Sequence, residues 1–574
     1  MDVKRKISTI IIITLCVQLF TPDSFAKSNN SLNDRPMVVA AAHPLAVEAG
    51  MEVLRKGGDA IDAAIAVQAM LGLVEPQSSG LGGGAFMLRY DANSKKIEVY
   101  DGRETAPSSA NARMFLDENG QPLQRGVAMT SGKATGVPGV VAMLKLAHGE
   151  HGKRPWAELF QSTTKAAHEG FPVSNRLDRF VHANFAQNKM PDVQKYFTKA
   201  NGELVSRGDI LKNPEYAYFT SKLAQTGIQA LYSGEVAQNI SNKLAEAPMP
   251  ATMTLEDLSE YRPIKREPIC TPMREIILCT VPPPSSGVSL LQLMLILNET
   301  SIGVLGPHNP QSWFLFAEAS RLMYADRDAW VGDPDFVEVP VQGLINSSYI
   351  RQRRTLIRNQ IGAPPRAGSP ATKVSQTMDA TIETGGTSHF VITDGFGNAV
   401  SMTTTVESFF GSGRMVNGFF LNNQMTDFSF SPTGPNAIAP GKRPRSSMSP
   451  VIIMDRNQNL IGAVGSPGGS AILAYVAKTL VGILEWHLPM QDAINLPNLV
   501  ARGDNFNGEV AQMRPEIVSG LIEKGISIKS GSGEDSGLHG FMWRRNKWDV
   551  GADQRRDGMV SIQRVPRINK QKID

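Results

Sequence analysis

A layered fold of class α+β is what this sequence predicts, and three observations predict it. The first is size, since 574 residues suffice for several ordinary domains or for one large layered domain with a well-buried core. The second is an alanine-rich helical segment, apolar on several sides, which suits a position between two other layers. The third is a set of strand-like runs punctuated by turn residues, two of which flank "DGFGN" (Asp394 to Asn398). An apolar content of 41% with 52 glycines fits a loop-rich globular protein and excludes the disordered and fibrous classes.

The first element is an export signal. Lys4, Arg5 and Lys6 form a basic region, Ile7 to Phe20 an apolar core, and Ser24-Phe25-Ala26 a small-x-small cleavage site. Residues 1–26 are thus expected to be removed, with periplasmic export favoured over secretion to the medium. The apolar run is shorter than the roughly 20 residues a spanning helix needs, which disfavours a membrane anchor.

"HPLAVEAGMEVLRKGGDAIDAAIAVQAMLGLVEP" then predicts two helices. Pro44 suits a first helical position, Gly57 and Gly58 end the first helix, and Asp59 caps the second. "SSGLGGGAFMLRY" and "KIEVYDGRE" follow as strands. Further helical stretches fill residues 130 to 250 and 288 to 330, separated by the proline-rich "VPPPSSG" (Val281 to Gly287). Residues 361 to 386, rich in Pro, Gly, Ser and Thr, read as a long exposed loop.

Formal charge is +4, too near balance to imply nucleic-acid binding. "RQRR" (Arg351 to Arg354) reads as the wet face of a helix, and "HGEH" (His148 to His151) as a solvated helix end in preference to a metal-ligand pair. Beyond Cys16 only Cys270 and Cys279 remain, so a disulfide framework is excluded. These two either face each other across a hairpin or are small buried apolar residues, with the second reading preferred.

The loop ends at "ETGGTSHF" (Glu383 to Phe390), where paired glycines precede a threonine that opens a strand. With Asp394 to Asn398 as the turn, Thr393 pairs with Ala399 and Thr387 faces Thr405, so that opposed Cβ atoms lie about 4.5–5.5 Å apart. Ser401, Thr403, Thr405 and Glu407 then share one face. Taken alone, this is an ordinary edge hairpin with its polar face in water, because a buried stripe of hydroxyls needs a partner for each.

Further stretches carry a resemblance. "HPLAVEAG", "VEPQSSGLGGGAFML", "DGRETAP", "VPPPSSG", "YADRDAWVGDPDFV", "TSHFVITDGFGNAVSMTTT", "LNNQMTDFS", "KRPRSSMSP", "GSPGGS" and "SGLHG" with "GADQRRDG" together resemble the gamma-glutamyltransferase (gamma-glutamyltranspeptidase) family of N-terminal-nucleophile hydrolases. The resemblance implies a four-layer αββα sandwich and a precursor that cuts itself between Gly386 and Thr387. The large subunit would be residues 27–386 and the small, catalytic subunit 387–574. Glycine tolerates strained dihedrals, which is expected to bring the Gly386 carbonyl within reach of the Thr387 hydroxyl. The freed α-amino group, with an unperturbed pKa of roughly 7.7–8, makes Thr387 both nucleophile and base. His389 is left as a strand residue.

Carried over by motif, Thr405 orients the Thr387 hydroxyl, while Gly468 and Gly469 offer N–H groups to the oxyanion. A phosphate loop is disfavoured for "GSPGGS" because the Lys-Ser/Thr ending is missing. Arg103, Ser446 and Ser447 are assigned to the donor's α-carboxylate, and Glu407, Gln424 and Asp427 to its α-ammonium. Many relatives have asparagine where Glu407 stands, so a second carboxylate here is expected to strengthen the cation site or to raise one acid's pKa.

The stretch between Asp427 and Lys442 is shorter than in relatives that have a lid loop over the substrate, so the resemblance implies an open pocket that admits water and larger substrates. No metal or organic cofactor is implied. The expected activity is transfer of a gamma-glutamyl group from glutathione or a related amide to water, an amino acid or a peptide. A glutaryl-type (cephalosporin) acylase and an uncleaved, non-catalytic secreted binding protein are the alternatives.

Overall fold

The structure, a computed structural model, describes residues 35–370, 379, 381, 383, 385–531 and 535–564. The expected signal segment, residues 1–26, lies outside them. Among the described residues no helix is long and apolar enough to cross a membrane.

Two antiparallel sheets form the centre, one of seven strands and one of six. In the seven-stranded sheet the hairpin Thr387–Thr393 and Ala399–Thr405 occupies the middle, flanked by Met37–Ala41 on one side and Gly84–Tyr90 on the other. Its register pairs Thr393 with Ala399 and Thr387 with Thr405, as counted from the turn. The edge-hairpin reading fails: every residue of both strands is buried. The Thr403 face looks toward the second sheet, where the His389 ring bonds Thr403 Oγ1 at 2.9 Å and packs on Gly465.

The helices Pro44–Arg55 and Ala60–Val74 cover the outer face of the seven-stranded sheet. Asp59 caps the second helix reciprocally with Asp62, the capping box that satisfies orphan N–H groups. All fifteen residues of that helix are buried, which explains why its sequence lacks a polar face. On the far side, helices Gly287–Asn298, Pro310–Trp330 and Ile472–Leu484 pack on the six-stranded sheet in one large apolar core. The order of layers is therefore helix, sheet, sheet, helix, the expected four-layer sandwich.

Three further expectations need correction. Cys270 and Cys279 face each other in the hairpin of strands Ile269–Met273 and Ile276–Thr280 and form a disulfide, so the preferred reading as two free apolar residues is wrong. Direct opposition in an antiparallel pair brings the sulfurs together. "RQRR" ends the helix Ser347–Arg354, but only Arg351, Gln352 and Arg354 are exposed, while Arg353 turns inward to Asp326 at 3.1 Å. The loop before Thr387 is not exposed throughout either, because Asp379 and Glu383 are buried on arginines described below.

Candidate functional site

The site forms where the central hairpin ends between the two sheets. Thr387 begins one strand and Thr405 closes the other. Thr387 Oγ1 donates to Thr405 Oγ1 at 3.2 Å, Thr405 Oγ1 donates to the Gly386 carbonyl at 2.7 Å, and the Glu407 N–H donates to Thr405 Oγ1 at 2.8 Å. A hydroxyl has one proton and two lone pairs, so Thr405 is saturated. The Gly386 oxygen also accepts the Val406 N–H at 3.2 Å.

The need for glycine at 386 has a different cause from the one expected. Gly386 is not in the left-handed backbone region, and a Cβ there would lie 2.4 Å from the Glu407 carbonyl oxygen and from the Ser408 carbonyl carbon. Close approach of two backbones, and not strained dihedrals, excludes a side chain. Strain sits one strand away at Glu407, whose φ is +79°, a region that costs a residue with a Cβ about 1–2 kcal/mol.

A cleft is lined by Arg103, Glu383, Thr387, Thr405, Glu407, Gln424, Asp427, Ser446, Met448, Gly469 and Ile472; with the segment before Thr387 in place its free space is about 10 Å³, room for about one water. Arg103 follows the strand Ile97–Gly102 and is buried; its Nη2 donates to Asp427 Oδ2 and to the Arg445 carbonyl, both at 2.7 Å. Glu104, the next residue in the chain, is itself fully buried and lies 3.8 Å away.

Asp427 and Gln424 share the short 3-10 turn Gln424–Asp427, where Gln424 Nε2 donates to Asp427 Oδ2. Burial, then the neighbouring Glu407 carboxylate, push the Asp427 carboxyl well above its ordinary range, against the pull of Arg103. Glu407 accepts from Asn423 Nδ2 and lies 3.5 Å from Arg125. Asp427 Oδ1 and Gln424 Oε1 are buried with no hydrogen-bond partner. Two orphaned acceptors in an acidic cleft make a place for a cation that brings its own N–H groups.

The glycine loop stands opposite. Gly468 and Gly469 have φ of +136° and +53°, values open to glycine, and they lead into helix Ile472–Leu484. A helix N-terminus favours developing negative charge. Ser446 lines the cleft, but the Ser447 hydroxyl points away from it, accepting from Arg327 Nη2 at 2.8 Å.

Sequence reasoning missed four contributors. Met448 and Ile472 supply apolar wall. Glu383 projects into the cleft, and Arg327 anchors it from behind. A signal existed for Arg327: "ADRD" places three charges in a helix that is otherwise largely apolar and aromatic, and charged residues are seldom fully buried unless paired. Elsewhere, Glu98, Glu150 and His151 bring ligand-type atoms together, but Lys265 already donates to both acids at 3.1 and 2.8 Å.

Comparison with known proteins identifies the family. The gamma-glutamyltranspeptidase family profile matches residues 46–562. A glutathione hydrolase proenzyme of Bacillus subtilis (strain 168) is 38% identical over 475 residues, covering 80% of each chain. The capsule biosynthesis protein CapD proenzyme of Bacillus anthracis is 32% identical over 509 residues, covering 88% of this chain and 86% of that one. In fold, the chain is similar to a cephalosporin acylase from Bacillus halodurans, with a TM-score of 0.80 at 24% identity over 95% of this chain and 99% of the other. The chain belongs to the gamma-glutamyltranspeptidase family.

Proposed function

We propose that the protein is a gamma-glutamyltransferase and glutathione hydrolase that becomes active by cutting itself between Gly386 and Thr387. One observation carries this reading: the Gly386 carbonyl accepts from Thr405 Oγ1 and the Val406 N–H while Thr387 Oγ1 lies 3.2 Å from that same Thr405 oxygen. Both donors to the carbonyl stabilise the oxyanion that forms when the Thr387 hydroxyl adds to the Gly386 carbon. The C–N bond then breaks, the nitrogen takes up a proton, and water hydrolyses the resulting ester. Thr387 is left with a free amine, which serves as base for its own hydroxyl.

In the enzyme so formed, Thr387 takes the gamma-glutamyl group as an ester, and the Gly468 and Gly469 N–H groups receive the oxyanion. Arg103, Ser446 and Ser447 take the donor's α-carboxylate; Ser447 requires its hydroxyl to turn from Arg327 toward the cleft. Glu407, Gln424 and Asp427 take the α-ammonium. The orphaned acceptors Asp427 Oδ1 and Gln424 Oε1 favour this donor over a glutaryl compound, which has no ammonium to offer them. Residues 428–441 fold back on themselves, with Lys442 Nζ bonding the Pro435 and Ala437 carbonyls at 2.8 Å, and none of them lines the cleft. This supports an open site that admits water, amino acids or peptides as acceptors. The basic and apolar N-terminal run supports export, with the periplasm as destination.

Turnover of gamma-glutamyl and glutaryl anilides tests the assignment. The gamma-glutamyl compound is expected to win by at least about 100-fold, since the site's buried polar groups go unpaired without the ammonium. Preference for the glutaryl compound would overturn it.

A further inference from the structure

Three arginines and three carboxylates meet behind the cleft. Arg327 and Arg445 are wholly buried. Asp328 lies among the three arginines, 3.2 Å from Arg327, 3.7 Å from Arg445 and 2.7 Å from Arg502. The other two acids belong to the segment just before the scissile bond: Asp379 sits 2.9 Å from Arg445, and Glu383 pairs with Arg327. Burial alone would raise the Glu383 carboxyl, but Arg327 and Arg445 outweigh it and hold it at about 2.

The segment is seated by its backbone as well. The Glu383 N–H donates to Ser470 Oγ at 2.8 Å, its carbonyl accepts the Ser470 N–H at 3.2 Å, and Arg502 donates to the Thr381 carbonyl at 3.1 Å. Glu383 Oε2 accepts the Ser447 N–H at 2.7 Å. Charge in this cluster therefore balances only while the segment is in place. Withdrawn, Asp379 and Glu383 would leave one acid against three guanidiniums, and a buried charge without a partner is costly. Arg445, fully buried, also keeps Nη1 without a hydrogen-bond partner, so donor capacity remains for an anion.

We propose that Arg327 and Arg445, with the Ser447 N–H and Ser470, form an anion subsite beside Thr387, filled by Glu383 and Asp379 before cleavage and by a substrate carboxylate after it. The inference rests on self-cleavage at Gly386. Its ligand is a carboxylate on the leaving-group or acceptor side of the gamma-amide, either a peptide C-terminus or the next gamma-linked glutamate. The subsite adjoins the Arg103 and Asp427 pocket, with Ser447 between the two, and it is that neighbouring pocket that matches the charges of the glutamyl group itself. It also makes the acidic segment a competitor that must depart before such substrates bind.

The test compares gamma-glutamyl anilide with gamma-glutamyl 3-carboxyanilide on enzyme whose cleavage has been checked by intact mass. An uncut active enzyme would remove the cleavage reading, whereas cut enzyme with no preference would remove the subsite alone. Cut wild type is expected to show a KM about tenfold lower for the carboxylated donor, as a charge-assisted contact implies, and Arg445→Gln to abolish that difference. A peptide of residues 375–386 provides a second measurement that needs no folded variant. It should inhibit competitively, and its Glu383→Gln, Asp379→Asn version should be at least about tenfold weaker; equal inhibition by the two, or none, overturns the proposal. Gamma-glutamyl-gamma-glutamate and a gamma-glutamyl dipeptide, run side by side, identify which carboxylate is preferred.

Discussion

Two clusters of buried charge flank Thr387, and they differ in how their charges are paired. In the Arg103, Glu407, Gln424 and Asp427 cluster, two acceptors have no partner and one carboxyl is pushed far up its scale. In the Arg327, Arg445 and Arg502 cluster each guanidinium lies against at least one carboxylate and Glu383 is held ionised, while the Arg445 nitrogens and Arg502 Nη1 carry no hydrogen bond. The first has the electrostatics of a pocket awaiting a cation, the second those of a pocket the chain has filled itself. The proposed self-cleavage gives that asymmetry a meaning, since the filled side adjoins the bond proposed to be cut and the unfilled side is the one proposed to take the substrate.

Gly386→Ala strikes the filled side hardest. Its Cβ would meet two backbone atoms at 2.4 Å, so the segment must lift, and a displacement of that kind costs cleavage about 100-fold or more. Gel analysis should show an uncut chain; normal cutting would mean the segment is not seated as described. Thr405→Val removes one of the two donors to the Gly386 carbonyl and should slow cutting about 10²–10³-fold, followed as the time course of fragment appearance.

On the unfilled side, Asp427→Asn should raise KM for gamma-glutamyl donors by roughly 30-fold or more, because a buried charge partner of the ammonium is lost. In the proposed assignment, ionised Asp427 is the binding form. Its raised pKa therefore predicts that kcat/KM falls as pH falls, beginning at a higher pH than for an ordinary carboxylate, with full activity above that limb. Glu407→Asn is the mildest change. Burial is the larger cause of the Asp427 shift and Glu407 the second, so this substitution should move the acid limb to lower pH. Because asparagine tolerates positive φ, it should also raise the melting temperature by about 1–2 °C.

Much of this was legible in advance for a physical reason. Strand registry follows from a turn and an alternation, so the pairing of Thr387 with Thr405 could be counted from Asp394 to Asn398. Caps and helix ends are local chemistry, hence Asp59 and Pro44. What escaped was non-local. Nothing near Glu383 in the chain announces Arg327, more than fifty residues earlier, or Arg445, more than sixty later. An acidic residue in a polar loop looks solvated until its partners are known. The hairpin's burial, the Cys270–Cys279 bond and the true reason for Gly386 likewise depend on which surfaces meet, a property of the layers and not of any one segment.

The central claim is that Thr387 gains a free amine by scission of the bond before it. Intact-mass measurement on purified wild-type protein and on Thr387→Ala tests this most directly. Two fragments divided between Gly386 and Thr387 in the wild type, and one unbroken, inactive chain in the variant, are the predicted result. An active wild-type enzyme whose polypeptide runs unbroken through position 387 would contradict it.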